Sequence, residues 1–284
     1  MLNPQEWYTE IHGDDGTAFS LKHSGKLHEE QSAYQTIAVY QTERFGRLMT
    51  IDGLVMLTDR DNFIYHEMMS HPALFSHDRP KRVVVIGGGD CGTLREVLRH
   101  DGVECCEQVE IDEQVTRVAE QYFPELCEAN GDPRARFHFC DGIQWIEEAE
   151  AGSIDVIIID STDPVGPAEG LFSEAFYRAC HRALGDGGIL VAQSESPLLH
   201  AGIIERVHGN MRAAGYDDVR VMQFAQCSYP SGWWSATLAA KGRQLDRFRE
   251  ADARARRFPT RYYSAEIHTA SRVLPAFLAE QLGG

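Results

Sequence analysis

The sequence predicts an α/β protein in which a doubly wound sheet follows a small antiparallel β unit, and three observations predict it. From residue 82 onward, short apolar runs alternate with helical stretches, as they do when strands and crossover helices build a sheet covered on both faces. The first of those strands, Arg82-Val-Val-Val-Ile86, runs into Gly87-Gly-Gly-Asp-Cys-Gly92 and then Thr93-Leu-Arg-Glu-Val-Leu98, which reads as strand, glycine turn and helix. Before residue 60 the rhythm differs: apolar runs lie close together between Gly breaks, with no helical stretch between them.

Taken in order, the N-terminal runs are Phe19-Ser-Leu21, Thr36-Ile-Ala-Val-Tyr40, Arg47-Leu-Met-Thr-Ile51 and Leu54-Val-Met-Leu57, with Asp52-Gly53 as a hairpin turn between the last two. Residues 1–60 are therefore read as a β domain and residues 61–284 as a Rossmann-like domain. Asp61 to Phe75 is expected to be a helix, with apolar positions at 64, 68 and 74 leading into the glycine strand. Strands follow near 82–86, 105–111, 135–140, 154–160, 187–193 and 219–224. Helices are expected near 93–99, 113–122, 142–149, 173–183 and 198–214.

This arrangement places four acids at the carboxyl ends of successive strands: Asp90 just past the first, Glu110 ending the second, Asp141 after the third and Asp160 after the fourth. Open α/β sheets bind their ligands along that edge. Glycines 87, 89 and 92 fit the G-x-G-x-x-G pattern, which lets backbone approach a nucleoside closely, and Glu110 with Asp112 lies at the distance of a ribose contact. No Lys or Arg sits in the glycine turn, and Asp90 stands where a diphosphate would pass. A nucleoside with a positive charge, such as S-adenosylmethionine or a relative, suits the turn better. The competing reading is that Asp90 simply caps the helix beginning near Gly92.

The segment Asp160-Ser-Thr-Asp163-Pro-Val-Gly-Pro167 adds two carboxylates on a loop stiffened by Pro and Gly, an arrangement that attracts a cation. Gly166 and Gly170 with Pro164 and Pro167 make residues 161–170 either a hinged flap or a static helix entry. The net charge of −16 over 284 residues argues against nucleic acid or an anionic membrane as partner, because either needs a basic footprint. Seven dispersed cysteines form no C-x-x-C pair, no basic-then-apolar segment opens the chain, and no apolar run approaches the ~18 residues of a membrane span. A reduced, cytoplasmic protein is expected.

Several features invite over-reading. His66 and His71 look like a zinc-helix motif, but they are five residues apart and so about 140° apart around a helix, and no metal is expected there. Cys91 is read as a small buried residue in preference to a reactive thiol. Trp233-Trp234 is read either as packing at the mouth of the ligand crevice or as core or interface.

The chain resembles the spermidine synthase (polyamine aminopropyltransferase) family along nearly its whole length. The residues that carry the resemblance include Tyr34-Gln35, Asp59-Arg-Asp-Asn-Phe-Ile-Tyr65-His-Glu-Met68, Ile86-Gly-Gly-Gly-Asp90, Glu110-Ile-Asp112, Asp141-Gly142, Asp160-Ser-Thr-Asp-Pro-Val-Gly-Pro-Ala168, Gln193, Tyr229-Pro-Ser-Gly232 and the closing segment Thr260-Arg-Tyr-Tyr263. The resemblance implies a methyltransferase-type Rossmann-like fold. It also implies decarboxylated S-adenosylmethionine as co-substrate, putrescine as acceptor, and no metal or further cofactor. By position, Gly87, Gln35 and Glu110 would serve the donor's glycine turn and ribose, Asp141 and Gly142 its adenine, and Asp90 its aminopropyl ammonium.

Asp160, Tyr65 and Tyr229 would surround the attacking amine, with Asp163 on the neighbouring loop and Gln193 in the same cleft. Asp160 is expected to accept the proton, with Tyr65 relaying or orienting it. Some relatives carry Gln at position 66, so His66 is read as a hydrogen-bonding cleft residue and not a base. The family also implies a homodimer. Three alternatives stay open at this stage: another acceptor (cadaverine, agmatine or spermidine), an amine N-methyltransferase, and a silent polyamine-binding protein.

Overall fold

The computed structural model describes residues 2–162 and 166–283. Its N-terminal part is a five-stranded antiparallel sheet in sequence order, formed by β1 (Trp7–His12), β2 (Thr17–Gln31), β3 (Thr36–Thr42), β4 (Arg47–Ile51) and β5 (Leu54–Thr58). Strand β1 was not expected from the sequence, and β2 runs well past the short segment around Phe19. Asp52 and Gly53 both take positive φ, 49° and 80°, which is the backbone a tight two-residue hairpin requires.

Helix α1 (Asn62–Ser76) then leads into the second sheet. Its elements are β6 (Arg82–Gly87), α2 (Gly92–Leu98), β7 (Cys105–Glu110), α3 (Glu113–Tyr122), β8 (Ala135–Phe139), α4 (Gly142–Glu148), β9 (Ile154–Asp160), α5 (Glu174–Ala183), β10 (Leu184–Gln193), α6 (Ala201–Ala213), β11 (Asp218–Ala225) and β12 (Trp233–Ala240). Three short helices, α7 (Glu250–Arg254), α8 (Ala265–Ser271) and α9 (Ala276–Gln281), close the chain.

The seven strands are ordered β11-β12-β10-β9-β6-β7-β8. The five from β10 to β8 pair in parallel, but β12 is antiparallel to both β10 and β11, so the sheet is mixed at one edge. That edge is where the doubly wound sheet stops being parallel. Parallel strands need a crossover, and the short link from Ala225 to Trp233 allows only an antiparallel return.

Both faces of this sheet are covered, which is why its central strands β6, β9 and β10 read as apolar runs. Val83, Val85, Val156 and Ile158 pack with α1 and α2 on one face, while Val84, Ile86, Ile157 and Ile159 pack with α4, α5 and α6 on the other. The small sheet docks on α3: Ile37, Val39, Met49 and Leu57 share a buried cluster with Val115, Val118 and Phe123. Each such side chain withdrawn from water contributes about 1.5–3 kcal/mol. That packing hangs the N-terminal sheet over the carboxyl edge of the large one.

Candidate active site

Strands β6 and β9 are neighbours whose following chains depart to opposite sides of the sheet, so a crevice opens between their carboxyl ends. Gly87 lies opposite Asp160 across this pair. Its φ is +81°, and a Cβ there would stand 2.2 Å from the Asp160 carbonyl oxygen, so no other residue fits without moving the strand end. The next residue, Gly88, donates its N–H to that same carbonyl at 2.7 Å. The glycine turn is therefore fastened to the backbone of the acid it faces.

The cavity in this crevice is lined from both sheets. Gln35, Ile51 and Met56 come from the N-terminal sheet and its loops, and Asp90, Glu110, Asp141 and Asp160 form the acidic rim. Among the sequence-predicted residues Gly87, Gly142, Tyr65 and Tyr229 also line it.

Asp160 is gripped at both oxygens. Tyr65 donates its hydroxyl to Oδ1 at 2.7 Å, and Thr93 donates Oγ1–H to Oδ2 at 2.6 Å. Burial and then the charge of Asp90 raise the Asp160 pKa, while His66 and the two hydroxyls hold it back. Burial drives the Tyr65 phenol far up, with Asp160, Tyr229 and Asp90 adding to it, so Tyr65 stays protonated and acts as a donor.

Asp90 receives the N–H of Gly92 on Oδ1 at 2.7 Å, and its Oδ2 lies 3.2 Å from His66 Nε2. Asp90 therefore supports the start of α2 and also lines the cavity. Burial works against an ionised Asp90, but His66, the Gly92 N–H and Arg95 outweigh it and its pKa is lowered. Burial likewise works against a charged His66, and Asp90 followed by Asp160 more than compensates, raising its pKa.

The second-strand acids divide their labour. Glu110 faces the cavity, accepts the Asp112 N–H at 2.9 Å, and is raised to about 7, mainly by burial. Asp112 turns away to cap α3 through the Gln114 N–H and to accept Ser32 Oγ at 2.7 Å and Gln35 Nε2 at 2.9 Å. Gln35 is thus held over the cavity by an acid on the large domain. Asp141 caps α4 through the Ile143 N–H at 2.8 Å, and Gly142 presses on Ile86, where a Cβ would stand 2.6 Å from Cγ2.

His66 and Gln193 do not line the cavity. His66 is buried behind Asp90 and reaches the cavity through it; Gln193 is buried at the end of β10, with Nε2 3.4 Å from the Thr162 carbonyl and Oε1 accepting the Glu195 N–H. Asp163, with the middle of the 161–170 loop, lies outside the described residues. Tyr229 meets Tyr65 edge-on at 5.8 Å and donates its hydroxyl to the Met56 carbonyl at 2.6 Å, tying the two domains together beside the cavity.

His71 turns to His100 and Glu96, away from His66. Cys91 is fully buried in a left-handed conformation at φ 68°, and its contact with Cys127, then burial, keep it a thiol. Trp234 belongs to the core against Tyr229, and half-buried Trp233 meets Phe277, so neither lines the cavity.

Sequence reasoning missed Thr93. Its position three residues after Asp90, at the start of a helix whose first turn faces the ligand edge, was the available signal. It also missed the apolar liners Met49, Ile51, Met56 and Val115, which read simply as strand and helix core.

Fold and site together define an α/β enzyme of the Rossmann-like, methyltransferase type with a carboxylate-rimmed pocket at the strand switch point. The chain belongs to the spermidine synthase family of polyamine aminopropyltransferases. The family model "Spermine/spermidine synthase domain" matches residues 62–248, and "Spermidine synthase tetramerisation domain" matches residues 6–59. Among relatives, the polyamine aminopropyltransferase of Methylococcus capsulatus is 60% identical over 282 residues, covering 99% of each chain. That of Thioalkalivibrio sulfidiphilus is 62% identical over 279 residues and 98% of each. A crystal structure of a spermidine synthase in complex with the transition state analogue AdoDATO superposes with a TM-score of 0.94 at 36% identity, over 98% of this chain and 94% of that one. The spermidine synthase of Thermotoga maritima gives 0.93 at 36% identity over the same shares.

Proposed function

We propose that this aminopropyltransferase moves the aminopropyl group of decarboxylated S-adenosylmethionine to putrescine, releasing spermidine, 5′-methylthioadenosine and a proton. The observation that carries this reading is Asp90: a carboxylate held ionised in the glycine turn welcomes a donor whose amine stands alone and repels one that keeps its own carboxylate. The same contrast speaks against an N-methyltransferase. In this reading Glu110 and Gln35 take the ribose, Asp141 and Gly142 the adenine, and Asp160 with Tyr65 and Tyr229 the attacking amine. Asp163 belongs to the same proposal, and His66 and Gln193 are assigned to support Asp90 and Thr162.

The reaction is a displacement. The nitrogen lone pair forms a bond to the carbon beside the sulfonium, the C–S bond breaks, and its electrons neutralise the sulfur as a thioether. The leaving group is already activated, so no metal or covalent nucleophile is assigned. An alkyl ammonium titrates at about 10.4, and presenting it neutral at about pH 7.4 costs roughly 4 kcal/mol. Asp160 takes that proton, Tyr65 orients it, and alignment in the pocket supplies much of the remaining rate.

We also propose a homodimer as the functional unit, within the oligomer that residues 6–59 point to by their match to a tetramerisation domain. A cytoplasmic location is consistent with the absence, among the described residues, of any helix long and apolar enough to cross a membrane.

The test is a panel of putrescine, cadaverine, agmatine and spermidine with decarboxylated donor, following methylthioadenosine release. Putrescine should give the highest kcat/KM. Another acceptor in front changes the assignment, and adenosylhomocysteine formed from S-adenosylmethionine removes it.

Glu110 provides a second check. A ribose diol donates to the ionised carboxylate, so binding favours that form. With Glu110 at about 7 in the empty pocket, methylthioadenosine should bind about tenfold more tightly at pH 8 than at pH 6, with proton release at the lower pH. Calorimetry in buffers of different ionisation enthalpy measures both. The same slope in Glu110→Gln would assign the pH dependence to another group.

A further inference from the structure

We propose that Thr93 is a positioning residue for the transfer step: its hydroxyl fixes one oxygen of Asp160 so that the carboxylate presents a set face to the acceptor nitrogen. This deepens the reading of Asp160 as proton acceptor and rests on it.

Thr93 is fully buried in the first turn of α2, and its Oγ1–H reaches Asp160 Oδ2 at 2.6 Å. A buried Thr at a helix start commonly spends its hydroxyl on the helix's own backbone. Here the hydroxyl crosses to the end of β9 instead. With Tyr65 holding Oδ1 from α1, the carboxylate is clamped from two elements and cannot turn about its last torsion.

Removing one clamp frees that rotation. It also leaves Oδ2 facing like charge without a donor, because Asp90 lies across the turn and Glu110 on β7 is near enough to interact with Asp160. The groups facing Asp160 are therefore Tyr65 and His66 from α1, Asp90 from the glycine turn, Thr93 from α2 and Glu110 from β7. Thr93 and Tyr65 are the two that donate hydroxyl hydrogen bonds to its ionised form.

The placement couples two halves of the site. One short segment supplies Gly88, whose N–H grips the Asp160 carbonyl, Asp90, which faces the donor, and Thr93, which grips the Asp160 side chain. The turn that receives the donor thus also sets the proton acceptor.

The experiment compares Thr93→Val, which keeps the shape without the hydroxyl, with Thr93→Ser, which restores it, and runs Asp160→Asn alongside. Thr93→Val should lower turnover about 10- to 100-fold and move the lower ionisation of the kcat/KM profile upward by about one to two pH units, the worth of one hydrogen bond to a charged group. Methylthioadenosine affinity should stay within about twofold, and Ser should recover both turnover and profile. If Val does not fold, Thr93→Ala gives the same readout. An unchanged pH profile in Val, or equal damage in Val and Ser, overturns the proposal. Asp160→Asn separates the layers: if it keeps wild-type turnover, the reading of Asp160 itself fails; if it is inactive while Thr93→Val is silent, only the Thr93 inference fails.

Discussion

Replacing Asp160 by Asn is expected to lower kcat by about 10²- to 10⁴-fold, the usual contribution of a positioned proton acceptor, while methylthioadenosine binding survives. The substitution is nearly isosteric. Of the Tyr65 and Thr93 hydroxyls that now donate to the two oxygens, one can go on donating to the amide oxygen while the other rotates to accept from the amide NH2, so the clamp persists and the fold has no cavity to fill. What disappears is the negative charge. The acceptor ammonium then loses both its electrostatic partner at the cavity wall and the base that takes its proton. Steady-state kinetics with decarboxylated donor and putrescine, beside calorimetric binding of methylthioadenosine, measures the two effects separately. A kcat within tenfold of the parent removes Asp160 as the proton acceptor.

Asp90→Ala is expected to raise the KM for decarboxylated S-adenosylmethionine by about two orders of magnitude, from the 2–5 kcal/mol that truncating one partner of a buried charge pair costs. S-adenosylmethionine, whose carboxylate Asp90 repels, should lose far less, and methylthioadenosine, which has no aminopropyl ammonium, should lose least. The ordering matters because Asp90 also accepts the Gly92 N–H and pairs with His66. If the three nucleosides weaken equally, Asp90 acts by holding the start of α2 and not by selecting the donor. Asp90→Asn provides the control, since it can still accept from Gly92 but carries no charge for the ammonium.

Much of the architecture was legible because the large sheet is buried on both faces. Its central strands β6, β9 and β10 had to carry apolar runs, and the punctuation between them, glycines 87, 89 and 92 and the acids at strand ends, marked the ligand edge. Strand β12 was not legible. Its apolar run is equally compatible with core packing of a tryptophan pair, and only pairing with β10 and β11 makes it a strand. The helices after β12 span five to seven residues each, too short to declare themselves by periodicity. Part of this closing region is held by a distant residue: the Glu67 carboxylate on α1 accepts the N–H groups of Arg261, Tyr262 and Tyr263.

At the site, the sequence by itself put the four acids on one rim, because strand ends follow from local pattern and ligands bind at that edge of an open α/β sheet. It also separated His66 from His71, because their spacing puts them on different faces of a helix and they do find different partners. Tertiary structure alone decided which groups each acid answers to. Glu110 faces the cavity while Asp112 turns to Gln35 and Ser32; His66 and Gln193 sit one layer behind the pocket; Thr93 reaches 67 residues along the chain to Asp160. The reason is physical. Backbone periodicity is set by neighbours a few residues apart and is written locally, whereas the partner of a buried polar atom is whichever group the completed packing brings within hydrogen-bonding distance.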